Sequence, residues 1–109
     1  MHELALMESV VEAVCERLPE QRVTAVRLEV GRLTAVVPEA LRFCFDVCTR
    51  GTPLEGAALE IIDVAGRGRC RSCGHELCLE SLFALCPCGG MDIEVAAGEE
   101  LRLKEVEIS

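Results

Sequence analysis

The sequence predicts an α+β fold: a three-stranded sheet with two helices on it, plus a small cysteine-rich module inserted between two of the strands. Three observations predict this. Apolar residues recur twice at helical spacing in the first half of the chain. Three other segments have the alternation or apolar density of strands. Four of the eight cysteines fall in two tight pairs, Cys70/Cys73 and Cys86/Cys88. A chain of 109 residues is long enough for one compact domain with a satellite module. The boundaries predicted are residues 1–66 and 92–109 for the α/β domain and 67–91 for the module.

Leu4, Met7, Val10, Val11, Val14 and Leu18 line one helical face, while Glu3, Glu8, Glu12 and Glu16 fall outside it. A helix over about residues 3–18 follows, ended by Pro19. Val26, Leu28 and Val30 alternate with Arg27 and Glu29, as in a half-buried strand closed by Gly31. Pro38-Glu39 opens a second helix, because proline suits a first turn. Leu41, Cys44, Phe45 and Cys48 supply its buried face, and Arg50-Gly51 stops it. Ala57 to Val64 reads as a second strand. Leu101, Leu103, Val106 and Ile108 form the last, which pairs back with the first two. The core is aliphatic, since the chain holds three Phe and no Tyr or Trp.

The cysteine pairs carry chemistry. Two closely spaced thiol pairs about 12–20 residues apart are the usual arrangement of a structural zinc site. Each pair sits on a turn, and two such turns complete a tetrahedral shell. Gly74 follows the first pair and Gly89-Gly90 the second, where a metal-binding turn needs backbone of positive φ. The module is therefore zinc-ribbon-like, with Cys70, Cys73, Cys86 and Cys88 as ligands. Cys78, between the pairs, reads as core filler or a reserve ligand, and His75 as a surface residue rather than a spare ligand. Cys15, Cys44 and Cys48 fall in helical apolar patterns, where cysteine acts as a small hydrophobe. Arg67, Arg69 and Arg71 interleave with the first pair, either neutralising the charge of a four-thiolate zinc or standing solvated. Gly66 and Gly68 are expected to form a hinge on which the module turns.

Charge and composition exclude several functions. A formal net charge of −8, with basic residues scattered among more numerous acids, argues against nucleic acid. No apolar run approaches the roughly 20 residues of a membrane span, and nothing resembles a signal peptide. A cytoplasmic protein with reduced thiols is expected. There is no nucleophile–base constellation, phosphate-binding glycine loop or HExxH, so no enzyme is expected.

The opening Met1-His2-Glu3 offers a second metal site. The α-amine, the His2 amide nitrogen and the His2 Nδ1 close adjoining five- and six-membered chelate rings. Such nitrogen-rich donor sets suit Ni²⁺ or Cu²⁺. Glu3 adds an oxygen ligand or a supporting hydrogen bond.

These features together resemble the HypA/HybF family of hydrogenase-maturation nickel metallochaperones. The likeness rests on Met1-His2-Glu3-Leu4, Val30-Gly31-Arg32-Leu33, Pro38-Glu39-Ala40-Leu41-Arg42-Phe43 and the late cysteine module, in that order. The resemblance implies Ni²⁺ as cargo on His2 with Glu3 beside it, and structural Zn²⁺ on Cys70, Cys73, Cys86 and Cys88. It implies two partners, an accessory GTPase that exchanges nickel and the precursor of a [NiFe]-hydrogenase large subunit. The second pair departs from the family pattern, with only Pro87 between its cysteines. Three other readings of the cysteine motif compete: a zinc-ribbon adaptor without cargo, a rubredoxin-like iron carrier, and a thiol oxidoreductase using Cys70 and Cys73.

Overall fold

A computed structural model describes residues 3–81 and 85–109 of the chain. Met1 and His2, and with them most of the expected N-terminal site, lie outside the described residues. Two long helices and six strands follow in order: α1 (Glu3–Arg17), β1 (Val23–Gly31), α2 (Pro38–Thr49), β2 (Ala58–Val64), β3 (Gly66–Cys70), β4 (Glu76–Leu79), β5 (Ile93–Ala97) and β6 (Leu101–Ile108). A single 3-10 turn, Arg32–Thr34, follows β1. The strands form two sheets, ordered β2-β1-β6 and β4-β3-β5. Both helices and the three-stranded sheet of the sequence reading are present.

The chain packs as two compact units, one of Met1–Leu28, Val36–Ile62 and Arg102–Ser109, the other of Glu29–Ala35 and Asp63–Leu101. In the first, Met7, Val10, Val11 and Val14 of α1 are buried with Leu41 and Phe45 of α2 and Val23, Ala25, Val26 and Leu28 of β1. Burial of these aliphatic faces is worth roughly 1.5–3 kcal/mol for each large side chain. Proline stands in the first turn of α2, and no side chain caps Val37 at its N-cap. The Val37 backbone N–H instead donates to Oε2 of Glu3 at 3.3 Å, so the start of α1 supports the start of α2. Arg27 on the central strand reaches Glu60 on β2 and Glu105 and Glu107 on β6, tying the three strands on their exposed face. The hydrogen bond to Glu107, helped by the other two carboxylates, raises its pKa above the ordinary arginine value.

The second unit holds a sheet that the apolar pattern does not announce. Its central strand reads Gly-Arg-Gly-Arg-Cys and contains no aliphatic side chain. Gly66, Gly68 and Cys70 occupy the buried side and Arg67 and Arg69 the exposed side. Strand β3 pairs antiparallel with β4, Gly66 opposite Leu79 and Gly68 opposite Leu77, and with β5, Gly68 opposite Val95. The expected hinge is therefore corrected: Gly66 and Gly68 lie inside a paired strand. Their lack of a side chain makes room, because a Cβ at Gly66 would stand 2.3 Å from the Leu79 carbonyl oxygen. At Gly68 it would stand 2.8 Å from the Glu94 carbonyl oxygen and the Leu79 side chain.

The two phenylalanines of α2 separate core from surface. Phe45 is 1% exposed and Phe43 is 69% exposed. Truncation of Phe45 to Ala is expected to lower the unfolding free energy by about 3–5 kcal/mol. Phe43→Ala should change it by about 0.5 kcal/mol or less. Urea unfolding of the two variants checks this, and equal losses would show that the helix is packed differently.

Candidate metal centre

Strand β3 ends at Cys70, where the chain turns. The Gly74 N–H donates to the Cys70 carbonyl at 2.8 Å, and the Cys70 N–H donates to the His75 carbonyl at 2.9 Å. The second pair repeats both bonds with each loop one residue shorter. Gly89 N–H donates to the Cys86 carbonyl at 2.9 Å, and Cys86 N–H to the Gly90 carbonyl at 3.1 Å. The missing residue between Cys86 and Cys88 is thus absorbed inside the turn, leaving its hydrogen-bond frame intact. Gly74 and Gly89 close these turns at φ of 77° and 89°, as the sequence reading expects. Gly90 serves differently from expectation. A Cβ there would lie 3.1 Å from the Cys70 sulfur and 3.2 Å from the Cys88 sulfur, so glycine leaves the sulfurs their space.

The four sulfurs converge. Cys70, Cys73, Cys86 and Cys88 present Sγ atoms all within 4.8 Å of one another. Cys70 and Cys88 are 3.7 Å apart and Cys73 and Cys86 3.5 Å. A tetrahedron of thiolates around Zn²⁺, with Zn–S of about 2.3 Å, has sulfurs about 3.8 Å apart. The observed spacing fits that shell and is far longer than a disulfide of about 2.05 Å. Cys70 and Cys86 are buried and Cys73 and Cys88 exposed.

Backbone donors prepare the cluster for charge. The N–H groups of Cys73 and Ser72 point at the Cys70 sulfur and, against desolvation, lower its pKa to about 6. The Cys88 N–H also favours the thiolate of Cys86. Burial and proton sharing with Cys88, Cys73 and Cys70 outweigh it and push Cys86 up to about 12. Four thiolates this close repel one another, so a thiophilic cation is the partner that lets all four ionise. The Gly90 N–H adds a 3.4 Å hydrogen bond to the Cys88 sulfur.

The other candidates fall elsewhere. Cys78 is exposed on β4 opposite Arg67, and neither it nor His75 joins the four-sulfur group among the described residues. Cys15, Cys44 and Cys48 are half-buried, and burial raises the Cys48 thiol, with Glu8 and Cys44 adding to the effect. Glu3 sits at the start of α1, bound to the Val37 N–H. Two of the three arginines have oxygen partners. Arg69 Nε donates to the Gly74 carbonyl at 3.2 Å, bracing the first turn, and Arg71 pairs with Asp92 and Glu94. Sequence reasoning missed the Ser72 and Cys73 amides and the steric role of Gly90. None of them carries a residue-type signal, since any residue supplies an amide and glycines abound in turns.

A family model described as hydrogenase/urease nickel incorporation, metallochaperone, HypA, matches residues 1–108. A hydrogenase maturation factor HypA from Geobacter metallireducens is 52% identical over 110 aligned positions, covering 99% of each chain. The HypA of Nostoc punctiforme is 48% identical over 108 residues, 99% of this chain and 96% of that one. Among solved structures, the solution structure of the Ni metallochaperone HypA from Helicobacter pylori superposes with a TM-score of 0.68 at 20% identity. It covers 99% of this chain and 97% of that one, a likeness of fold. A second HypA solution structure matches at a TM-score of 0.64, 18% identity, and 97% and 92% coverage. With two helices, two small sheets and four converging cysteines, and with relatives close to half identical along its whole length, this chain belongs to the HypA family of nickel metallochaperones for hydrogenase maturation.

Proposed function

We propose that this chain binds Ni²⁺ at its N-terminus and delivers it for [NiFe]-hydrogenase maturation, while Cys70, Cys73, Cys86 and Cys88 hold a structural zinc. The observation that carries the reading is the family match, which runs from residue 1 through the cysteine pairs. Chemistry supports the division of labour. A closed shell of four thiolates suits a metal that stays, with Zn²⁺ neutralising the sulfurs and cross-linking the two turns. A cargo site needs few protein ligands and exchangeable positions, which the Met1 amine, the His2 amide and imidazole, and Glu3 offer. Nickel is then carried on the α/β part, residues 1–66 and 92–109, and zinc in the module of residues 67–91.

The protein acts by binding and transfer, without catalysis. Its partners are an accessory GTPase that exchanges nickel and the hydrogenase large-subunit precursor that receives it, and its compartment is the cytoplasm. None of the described helices is long and apolar enough to cross a membrane.

The terminal site is tested by titrating Ni²⁺ into zinc-loaded protein that begins at Met1. Extending the chain ahead of Met1, or His2→Ala, removes a direct ligand. The expected weakening exceeds the about 10–100-fold that follows loss of a supporting residue. Equal affinity in all three proteins would leave a zinc-ribbon adaptor without cargo as the reading.

The zinc assignment predicts one tightly held zinc per chain by elemental analysis, lost in Cys70→Ser and Cys86→Ser. Structural zinc in small peptides contributes about 10–16 kcal/mol, so amide protection in β3–β5 should collapse in both variants. A variant that keeps its zinc would exclude that sulfur from the shell.

Zinc retention should fall with acidity. Cys86, pushed up to about 12, must lose a proton to bind, so each unit of pH below neutrality costs about tenfold in apparent affinity from this thiol alone. Cys70, held at about 6, is already ionised at neutral pH and steepens the loss only below about pH 6. Chelator competition between pH 8 and 5 reads both regimes, and a flat profile would remove Cys86 from the ligand set.

A further inference from the structure

Of the cysteines outside the four-sulfur cluster, Cys15 belongs to α1, Cys78 to β4, and Cys44 and Cys48 stand one turn apart on α2. In α2 the file Ala40, Cys44, Cys48 is half-buried along its length. It runs between the buried file Leu41, Phe45, Thr49 and the exposed pair Phe43 and Val47. Both thiols therefore sit at the margin of the aliphatic core, shielded by it and still accessible to an ion.

Residues four apart on a helix hold their Cβ atoms about 5–6 Å from each other. Helical side chains lean toward the N-terminus, which carries the Cys48 sulfur back over the turn that bears Cys44. The two groups sense each other. Burial pushes the Cys48 thiol up, and the Glu8 carboxylate of α1 and the Cys44 thiol add to the effect. Cys48 also lies in the last turn of α2, where the negative end of the helix dipole disfavours a bare thiolate and favours a cation.

The donor set selects the ligand. Among the described residues, no third cysteine, histidine or carboxylate converges with these two thiols as the four sulfurs of the cluster converge. A structural Zn²⁺ takes four donors and is poorly served by two. Ni²⁺ prefers nitrogen-rich planar sets, whereas soft thiolates select Cu⁺, which two sulfurs satisfy. Cu⁺ also takes the place of one thiol proton. Binding then leaves the local charge unchanged, and the Glu8 carboxylate does not oppose it.

We propose that Cys44 and Cys48 form a two-sulfur site for monovalent copper at the edge of α2. The site stands apart from nickel carriage and from the zinc shell, since it uses neither the N-terminus nor the clustered cysteines.

The test uses the full zinc-loaded chain without oxygen, with Cu⁺ supplied from a coloured chelator in competition. One Cu⁺ per chain should transfer while zinc, followed with a chromogenic indicator, stays in the protein. X-ray absorption at the copper edge should show two sulfur neighbours and no nitrogen. Cys44→Ser and Cys48→Ser, which keep the side-chain size, should each weaken copper binding by more than about tenfold. Cys15→Ser, Cys78→Ser and His2→Ala should leave it within about twofold, as should Cys44→Ser the affinity for nickel. Thermal unfolding is recorded on each variant, and the copper coordination of the unaltered protein tests the site independently of them. Zinc released in step with copper uptake, or three or more sulfur neighbours, would put the copper in the cysteine cluster and overturn the proposal. Nitrogen neighbours, or a loss in His2→Ala, would put it at the N-terminus and overturn it equally. So would copper affinity unchanged in Cys44→Ser and Cys48→Ser, or a loss in Cys15→Ser as large as theirs.

Discussion

The second unit depends on holding four sulfurs at one point. Among its described residues the buried apolar side chains are few: Val30, Leu33, Leu79, Cys70 and Cys86. A core that small contributes a few kcal/mol per large side chain at best, against an ordering cost of roughly 1–2 kcal/mol for every residue fixed. A metal that binds four thiolates supplies what packing does not. The backbone is arranged for it, with two turns of matching hydrogen-bond frame and amides aimed at the Cys70 sulfur. Those amides draw one thiolate to neutral pH, while crowding of the sulfurs keeps Cys86 protonated until a cation arrives.

The same strand that delivers Cys70 divides two tasks between its faces. Inward, glycines at 66 and 68 let the neighbouring strands approach to within distances that a methyl group would forbid. Outward, arginines stand at the intervening positions. A strand of this kind has no apolar alternation to bury. It is held by its pairing on both sides, and its last residue, Cys70, joins the four-sulfur group.

In the first unit the stabilising logic is ordinary: aliphatic faces of α1, α2 and β1 close around Phe45 and Met7. Glu3 adds a feature with functional bearing. Its carboxylate accepts from the Val37 N–H at the uncapped start of α2, and it is also the acid next to the proposed nickel ligand. In the proposed function, metal binding at the terminus and that helix start would draw on one side chain.

The sequence by itself determined the helices, the first sheet and the identity of the four cysteines. Periodicity of 3.6 or 2 records which face meets a core, and paired thiols have few other uses in a reduced chain. The likeness to the HypA/HybF family was carried by short motifs in order, and the whole-length match bears it out. Tertiary structure alone decided the second sheet, since Gly-Arg-Gly-Arg has no apolar pattern to read. It alone separated Cys78 from the sulfur cluster. It alone gave Gly90 its steric role and showed that a one-residue spacer still brings both sulfurs to the cluster. These outcomes depend on distances between segments remote in sequence, which residue types do not encode one at a time.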